Sequence, residues 1–235
     1  MHRKTDWSEN RKDDKGEMSF SGMVKEELSR QIGLARHCKM AELAAILCSC
    51  GKMECFSGDS KLKIQTENEA VARKCFTLLQ KTFNIETKIF VRENSHLKRV
   101  KVYTIEITDP EEIQVIFQAL RLVTNSIDQG TLVLSDMLVV QQNCCKRAFI
   151  RGAFLASGSI SDPEKGYHFE IVCSDAKRAE QLQTIIRSFS VDAKIVQRKK
   201  SHVVYVKEGA QIVDAATLIS AFSSSASRVT TTGTR

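Results

Sequence analysis

Proline and tryptophan are nearly missing from this 235-residue chain, which has two of the first and one of the second. Few prolines leave long stretches free to build helices and hydrogen-bonded strands. No apolar run approaches the roughly 20 residues needed to cross a bilayer, so no membrane segment is expected. Residues 1–17, MHRKTDWSENRKDDKGE, hold five Lys/Arg, five Asp/Glu and almost nothing apolar. They lack the apolar core of a secretion signal and are expected to be a solvated, disordered extension, with Met18 as the natural start. Without an export signal the eight cysteines are expected to be reduced and the chain cytoplasmic.

What remains is ordinary globular composition, 42% hydrophobic and 27% charged. The length suits one large or two small domains. A net charge of +7 and a pI near 9.0 permit an anionic partner such as nucleic acid without requiring one. The cysteines are Cys38, Cys48, Cys50, Cys55, Cys75, Cys144, Cys145 and Cys173. Cys48-Ser-Cys50 with Cys55 raises the question of zinc. Structural zinc sites usually show two ligand pairs at C-x₂₋₄-C spacing, and no second such pair follows. The cysteines therefore read mostly as small core residues, with no metal and no cofactor expected.

Self-similarity is the most informative pattern. CKMAELAAILCSCGK (38–52) aligns with CKRAFIRGAFLASGS (145–159) at an offset of 107. The same offset places Ala72, Cys75 and Leu79 on Ala179, Leu182 and Ile186, the spacing of one buried helix face. FNIETKI (83–89) then lies over FSVDAKI (189–195) at an offset of 106.

Each copy reads α-β-β-α-β-β-α. A helix from Met18 capped by Ser21 precedes the first copy. That copy predicts helix 38–50, strands 53–57 and 61–66, and helix 68–82 behind a Thr66/Glu69 capping box. Strands 86–92 and 100–107 follow, then a helix opened by Asp109, Pro110 and Glu112. The second predicts helix 143–157, strand 158–161, a turn at Asp162–Gly166 and strand 167–173. Ser174 is the expected cap of helix 175–188. Strands 193–198 and 202–207 around a Lys-Lys-Ser turn, and helix 209–220, complete it. The class is α+β, with antiparallel sheets and a pseudo-two-fold axis relating the copies. The expected division is an extension (1–17), the first helix and repeat (18–127), a linker with the second repeat (128–220), and a low-complexity, disordered tail (221–235).

Gly152, Ala153 and Ala156, with Ala41, Ala44 and Ala45, would let helices 143–157 and 38–50 pack backbone to backbone. Alternatively each packs only within its own half. The duplicated helix ending in glycine, followed by these units, resembles the LAGLIDADG homing endonuclease domain. That resemblance implies two helices side by side, sheets forming a saddle on DNA, and an acid before each final glycine to hold a catalytic divalent metal. Here those positions are Cys50 and Ser157. A thiol and a hydroxyl do not replace carboxylates for a hard cation, so the resemblance implies the fold without cleavage.

MSFSGMVKEEL, CCKRAFIRGAFLASGSISDPEKGYHFEI and VVYVKEGAQIVD further resemble the WhiA family, over about residues 18–219. That resemblance implies a catalytically inactive LAGLIDADG-like domain joined to a helix-turn-helix, acting as a nucleoid-associated transcription regulator in sporulation, cell division and chromosome segregation. No helix-turn-helix pattern follows residues 218–221, so DNA binding is expected to be weak or non-specific.

Basic residues recur at equivalent hairpins: Lys88, Arg92, Lys98, Arg99 and Lys101 in one copy, and Lys194, Arg198, Lys199, Lys200 and Lys207 in the other. Phosphate contacts from such residues give salt-dependent affinity with little sequence selection. Lys-rich turns are also often merely solvated. His96 and His202 read as exposed turn residues. Three functions stay open: a non-enzymatic regulator binding DNA or a protein of the transcription machinery, an interaction or ligand scaffold, and an active endonuclease.

Overall fold

The computed structural model describes residues 19–56, 59–94, 100–125, 130–161 and 168–220. The expected extension, tail and Asp162–Gly166 turn lie outside these described residues, as do His96, Lys98 and Arg99. Helix α1 spans Phe20–Arg30, and the first copy then runs α2 (Arg36–Cys50), β1 (Gly51–Phe56), β2 (Asp59–Thr66), α3 (Glu69–Phe83), β3 (Ile89–Asn94), β4 (Val100–Ile107) and α4 (Pro110–Leu120). Two short strands, β5 (Leu122–Thr124) and β6 (Leu132–Leu134), and a 3-10 turn at Leu138–Val140 connect it to the second. That copy runs α5 (Asn143–Ser157), β7 (Gly158–Ile160), β8 (Phe169–Cys173), α6 (Ala176–Arg187), β9 (Lys194–Arg198), β10 (Ser201–Val206) and α7 (Gly209–Ser220). The α-β-β-α-β-β-α order holds twice.

Both sheets are antiparallel and share one topology, β1-β2-β4-β3 and β7-β8-β10-β9. Alternation sorts their residues. Leu62 and Ile64 on β2 and Tyr103, Ile105 and Ile107 on β4 are buried beneath α3 and α4, and Phe169, Ile171, Val204 and Val206 are buried in the second sheet. Helices thus cover one face of each sheet, and the other face is left outward.

The two halves meet along α2 and α5. Residues Ala41–Cys48 of α2 are all buried, as are Ala148–Leu155 of α5. Gly152 sits so near α2 that a Cβ there would lie 2.3 Å from the Glu42 carbonyl and 3.0 Å from the Ala45 Cβ. Ala45 is the residue 107 positions earlier, so each copy touches its own counterpart, as two-fold packing requires. The paired arrangement of the small-residue helices therefore holds.

Several local expectations do not. Ser19, not Ser21, caps α1, accepting from the Gly22 amide at 3.1 Å, while Ser21 Oγ accepts from the Ile160 amide. The Thr66/Glu69 box does not form. Asn68 caps α3 through the Val71 amide, Thr66 accepts from the Asn68 amide, and Glu69 receives the Tyr103 hydroxyl. Asp175 rather than Ser174 caps α6, because Ser174 is engaged by Arg178 and donates to the Asp175 carboxylate. Asp109 with Pro110 opens α4 as expected. Between the two copies β5 and β6 pair as a hairpin that the sequence reading did not include, tied to the first sheet by a bridge between Lys52 and Thr131. Half of the eight cysteines are buried (Cys48, Cys75, Cys145 and Cys173); Cys55 and Cys144 are exposed.

Candidate nucleic-acid interface

Strand register decides which basic residues share the outward faces. On β3, Ile89 pairs with buried Ile105 and therefore points inward, so Lys88, Phe90 and Arg92 take the outward positions. Arg92 lies opposite Val102. Lys101 has the parity of buried Tyr103 and lies opposite Glu93, with which it forms an exposed 3.8 Å ion pair. Lys101 is therefore not on the outward face, contrary to the sequence expectation.

In the second sheet Lys194 lies opposite Tyr205, which lies opposite Glu170 on β8. Lys194 and Arg198 face outward and are exposed, and Lys207 has the outward parity at the end of β10. Lys199, in a left-handed conformation at φ 54°, and Lys200 form the exposed turn between β9 and β10. This cluster is not free of acids. Arg198 donates to Glu170 at 2.9 Å, and Lys194 sits 3.5 Å from Asp192. Antiparallel pairing and the short α6–β9 loop bring in those carboxylates, which a count along residues 194–207 misses. His202 is not an exposed turn residue either: it lies half-buried within β10, opposite Cys173 and Gln197.

The outward face of the first sheet carries more charge than the β3–β4 hairpin alone supplies. Lys52, Lys61 and Lys63 alternate with inward residues on β1 and β2, beside Gln65, Thr104 and exposed Phe90. Lys61 reaches Glu106 at 3.2 Å and Lys63 reaches Glu54 at 3.2 Å, so part of this charge is already paired. The signal was present in SKLKIQT, where lysines alternate with Leu62 and Ile64.

The C-terminal ends of α2 and α5 hold the residues that a nuclease of this fold would replace by acids. Ser157 donates its hydroxyl to the Ala153 carbonyl at 3.3 Å. Cys50 is half-buried, and its thiol is pushed up to about 11 by burial, partly offset by nearby Lys25. The Lys25 ammonium lies 5.9 Å from the Phe154 ring centroid, its pKa lowered by burial. A neutral thiol, an engaged hydroxyl and a resident cation do not fit a hard divalent metal.

Midway along the α2–α5 seam lies a charged cluster that periodicity did not reveal. Glu42 on α2 is fully buried and accepts a two-pronged bond from Arg151 on α5, at 2.8 and 2.9 Å. Lys74 on α3, fully buried as well, contacts the same carboxylate at 2.9 Å and donates to the carbonyls of Leu28 and Gln31. Burial lowers the Lys74 pKa despite Glu42, whereas the bonds to Glu42 raise that of Arg151 against its own desolvation. The only hint was a charged residue inside an otherwise apolar stripe, as in KMAELAAIL.

Known proteins share this architecture. Residues 36–123 match the WhiA N-terminal LAGLIDADG-like domain, and residues 146–230 match the WhiA LAGLIDADG-like domain. The chain is 51% identical over 208 residues to a probable cell division protein WhiA of Lachnoclostridium phytofermentans, covering 88% of this chain and 66% of that protein. It is 40% identical to the protein so named from Alkaliphilus oremlandii, covering 88% of this chain and 65% of that one. The chain thus spans slightly less than two thirds of these relatives. Among solved structures, full-length DUF199/WhiA from Thermatoga maritima superposes with a TM-score of 0.68 at 19% identity, over 91% of this chain and 66% of that one. I-DmoI in complex with DNA and Mn superposes with a TM-score of 0.57 at 13% identity, over 80% of this chain and 100% of that one.

Proposed function

This chain belongs to the WhiA family, and we propose that it is a non-catalytic DNA-binding regulator acting in cell division, sporulation and chromosome segregation. The two repeats, 18–127 and 128–220, each contribute one outward sheet face to a DNA surface, working at the nucleoid with a protein of the transcription machinery. The observation that carries this reading is the recurrence of basic residues at outward positions of two equivalent sheets: Lys88, Arg92, Lys52, Lys61 and Lys63 in one, and Lys194, Arg198 and Lys207 in the other. The exposed Lys199-Lys200 turn extends the second set. The name carried by the relatives supports the assignment to cell division.

Mechanistically, such a surface displaces counterions from phosphates and fixes orientation on the duplex, with little reading of base edges. Carboxylates already paired with Lys61, Lys63, Lys194 and Arg198 weaken non-specific attraction and make affinity depend on exchanging protein ion pairs for phosphate contacts. Cleavage is not part of the proposal, since Cys50 and Ser157 supply no carboxylate.

Fluorescence anisotropy with a labelled duplex at two salt concentrations tests this. Binding is expected at low salt. Replacing Arg198, Lys199 and Lys200 together by Gln should flatten the log–log salt dependence by about 1 for each phosphate no longer neutralised. No binding at low salt, or an unchanged slope, overturns direct contact by this hairpin. Plasmid nicking in Mg²⁺ that disappears in Ser157→Ala would overturn the non-catalytic assignment.

A further inference from the structure

We propose that His37, Cys38, Cys144 and Cys145 form a structural zinc site that clasps the two halves of the molecule at its pseudo-two-fold axis. The four side chains offer one nitrogen and three sulfurs, all within 4.8 Å of one another. His37 Nδ1 lies 3.1 Å from Cys145 Sγ, 3.4 Å from Cys38 Sγ and 3.9 Å from Cys144 Sγ. With Zn–S of about 2.3 Å and Zn–N of about 2.0–2.1 Å, a tetrahedral site has an N···S edge of roughly 3.6 Å. The observed distances bracket that edge.

The placement obeys the internal symmetry. His37 and Cys38 are the second and third residues of α2, and Cys144 and Cys145 are the second and third residues of α5. Cys38 and Cys145, like His37 and Cys144, are separated by the repeat offset of 107. Each half therefore supplies the same two positions. Adjacent residues lie about 100° apart around a helix, so a helix supplies both to one ion only when its first turn meets the site end-on. In both helices the pair lies in the first turn.

The chemistry is consistent. Neither helix has a side-chain cap or an acid in its first turn. The positive ends of both dipoles consequently face the ligands and favour thiolates. Binding forms three Zn–S bonds and one Zn–N bond, breaks three S–H bonds and releases three protons to solvent. The resulting Cys₃His centre carries one net negative charge, suited to two helix N-termini and to nearby Arg121. A cavity of about 180 Å³, lined by His37, Met40, Arg121, Gln142 and Cys145 among others, provides access. A thiolate-rich tetrahedral set selects zinc over hard cations such as Mg²⁺.

The test uses the whole chain, purified under reducing conditions without a polyhistidine tag. Elemental analysis should find about one zinc per chain, and Co²⁺ substitution should give the visible bands of a tetrahedral thiolate site. Cys144 and His37 are exposed, so Cys144→Ser and His37→Ala should keep the fold by circular dichroism. Each should weaken zinc binding by more than the roughly 10–100-fold caused by losing a mere supporting group. Cys55→Ser, exposed on β1, should bind as the parent does. Thermal midpoints of the parent should rise with zinc, and those of Cys144→Ser should not. The proposal is overturned if the reduced parent binds no zinc, if Cys144→Ser binds as tightly as the parent, or if thiol counting shows that the native cluster is a disulfide.

Discussion

Replacing Glu42 by Ala should be among the most damaging single changes in this fold. The carboxylate is fully buried, and it accepts two bonds from Arg151 and one from Lys74. Its removal leaves two cations in the interior. Lys74 keeps the Leu28 and Gln31 carbonyls but has 0% side-chain exposure and no remaining counter-charge, and Arg151 is 10% exposed. Breaking a buried pair in this way costs about 3–5 kcal/mol. At about 2–4 °C per kcal/mol for a chain of this size, the midpoint should fall by roughly 6–20 °C. Urea unfolding followed by circular dichroism reads the loss as a lower midpoint at unchanged slope. Replacing all three partners, Glu42→Leu with Lys74→Met and Arg151→Met, should restore parental stability or exceed it by about 1–4 kcal/mol, because desolvation of three charges disappears along with their attraction. A Glu42→Ala protein within about 1 kcal/mol of the parent would refute the reasoning.

Two further expectations concern the same interface and the thiols. Gly152→Ala gains up to about 1 kcal/mol of helix propensity, yet the new Cβ meets the Glu42 carbonyl at 2.3 Å. Overpacking should dominate, with a net loss of about 1–3 kcal/mol in the same urea assay; a stabilised variant would mean that α2 and α5 are not in backbone contact. Cys48 and Cys173 ionise near 9.0 ordinarily but are pushed up to about 12 by burial. Between those values the folded state binds more protons than the unfolded one, so stability present below pH 9 is lost as pH rises toward 12. Urea midpoints at about pH 8 and about pH 10.5 should show this decline, less steeply in Cys48→Ala; equal slopes in the two proteins would contradict it.

The duplicated order of elements, the α2–α5 pairing and the Cys50/Ser157 positions were legible because they depend on local period and on one register kept across two copies. Boundaries slipped by one to three residues, and caps slipped where several polar residues compete for one helix end, as Ser19 and Ser21 do, or Thr66 and Asn68. The β5–β6 hairpin escaped because three-residue strands are too short to show a period. What no linear reading could show was partnership across space. Glu170 meets Arg198 only through sheet pairing, Lys101 turns away through strand parity, and Glu42, Lys74 and Arg151 meet from three helices. The His37–Cys145 cluster escaped for a related reason. Its ligands come as adjacent pairs 107 positions apart, not as the spaced pairs of a zinc loop.

The buried carboxylate also bears on how the two copies can associate. The counterpart of Glu42 in the second copy is Phe149, and the counterpart of Arg151 in the first is Ala44. Two first copies assembled about the same axis would bury glutamates facing Ala44 in place of arginine, and two second copies would bury arginines facing Phe149 in place of the carboxylate. Pairing of unlike halves is thereby favoured over pairing of like ones, because only the unlike couple brings Arg151 to Glu42.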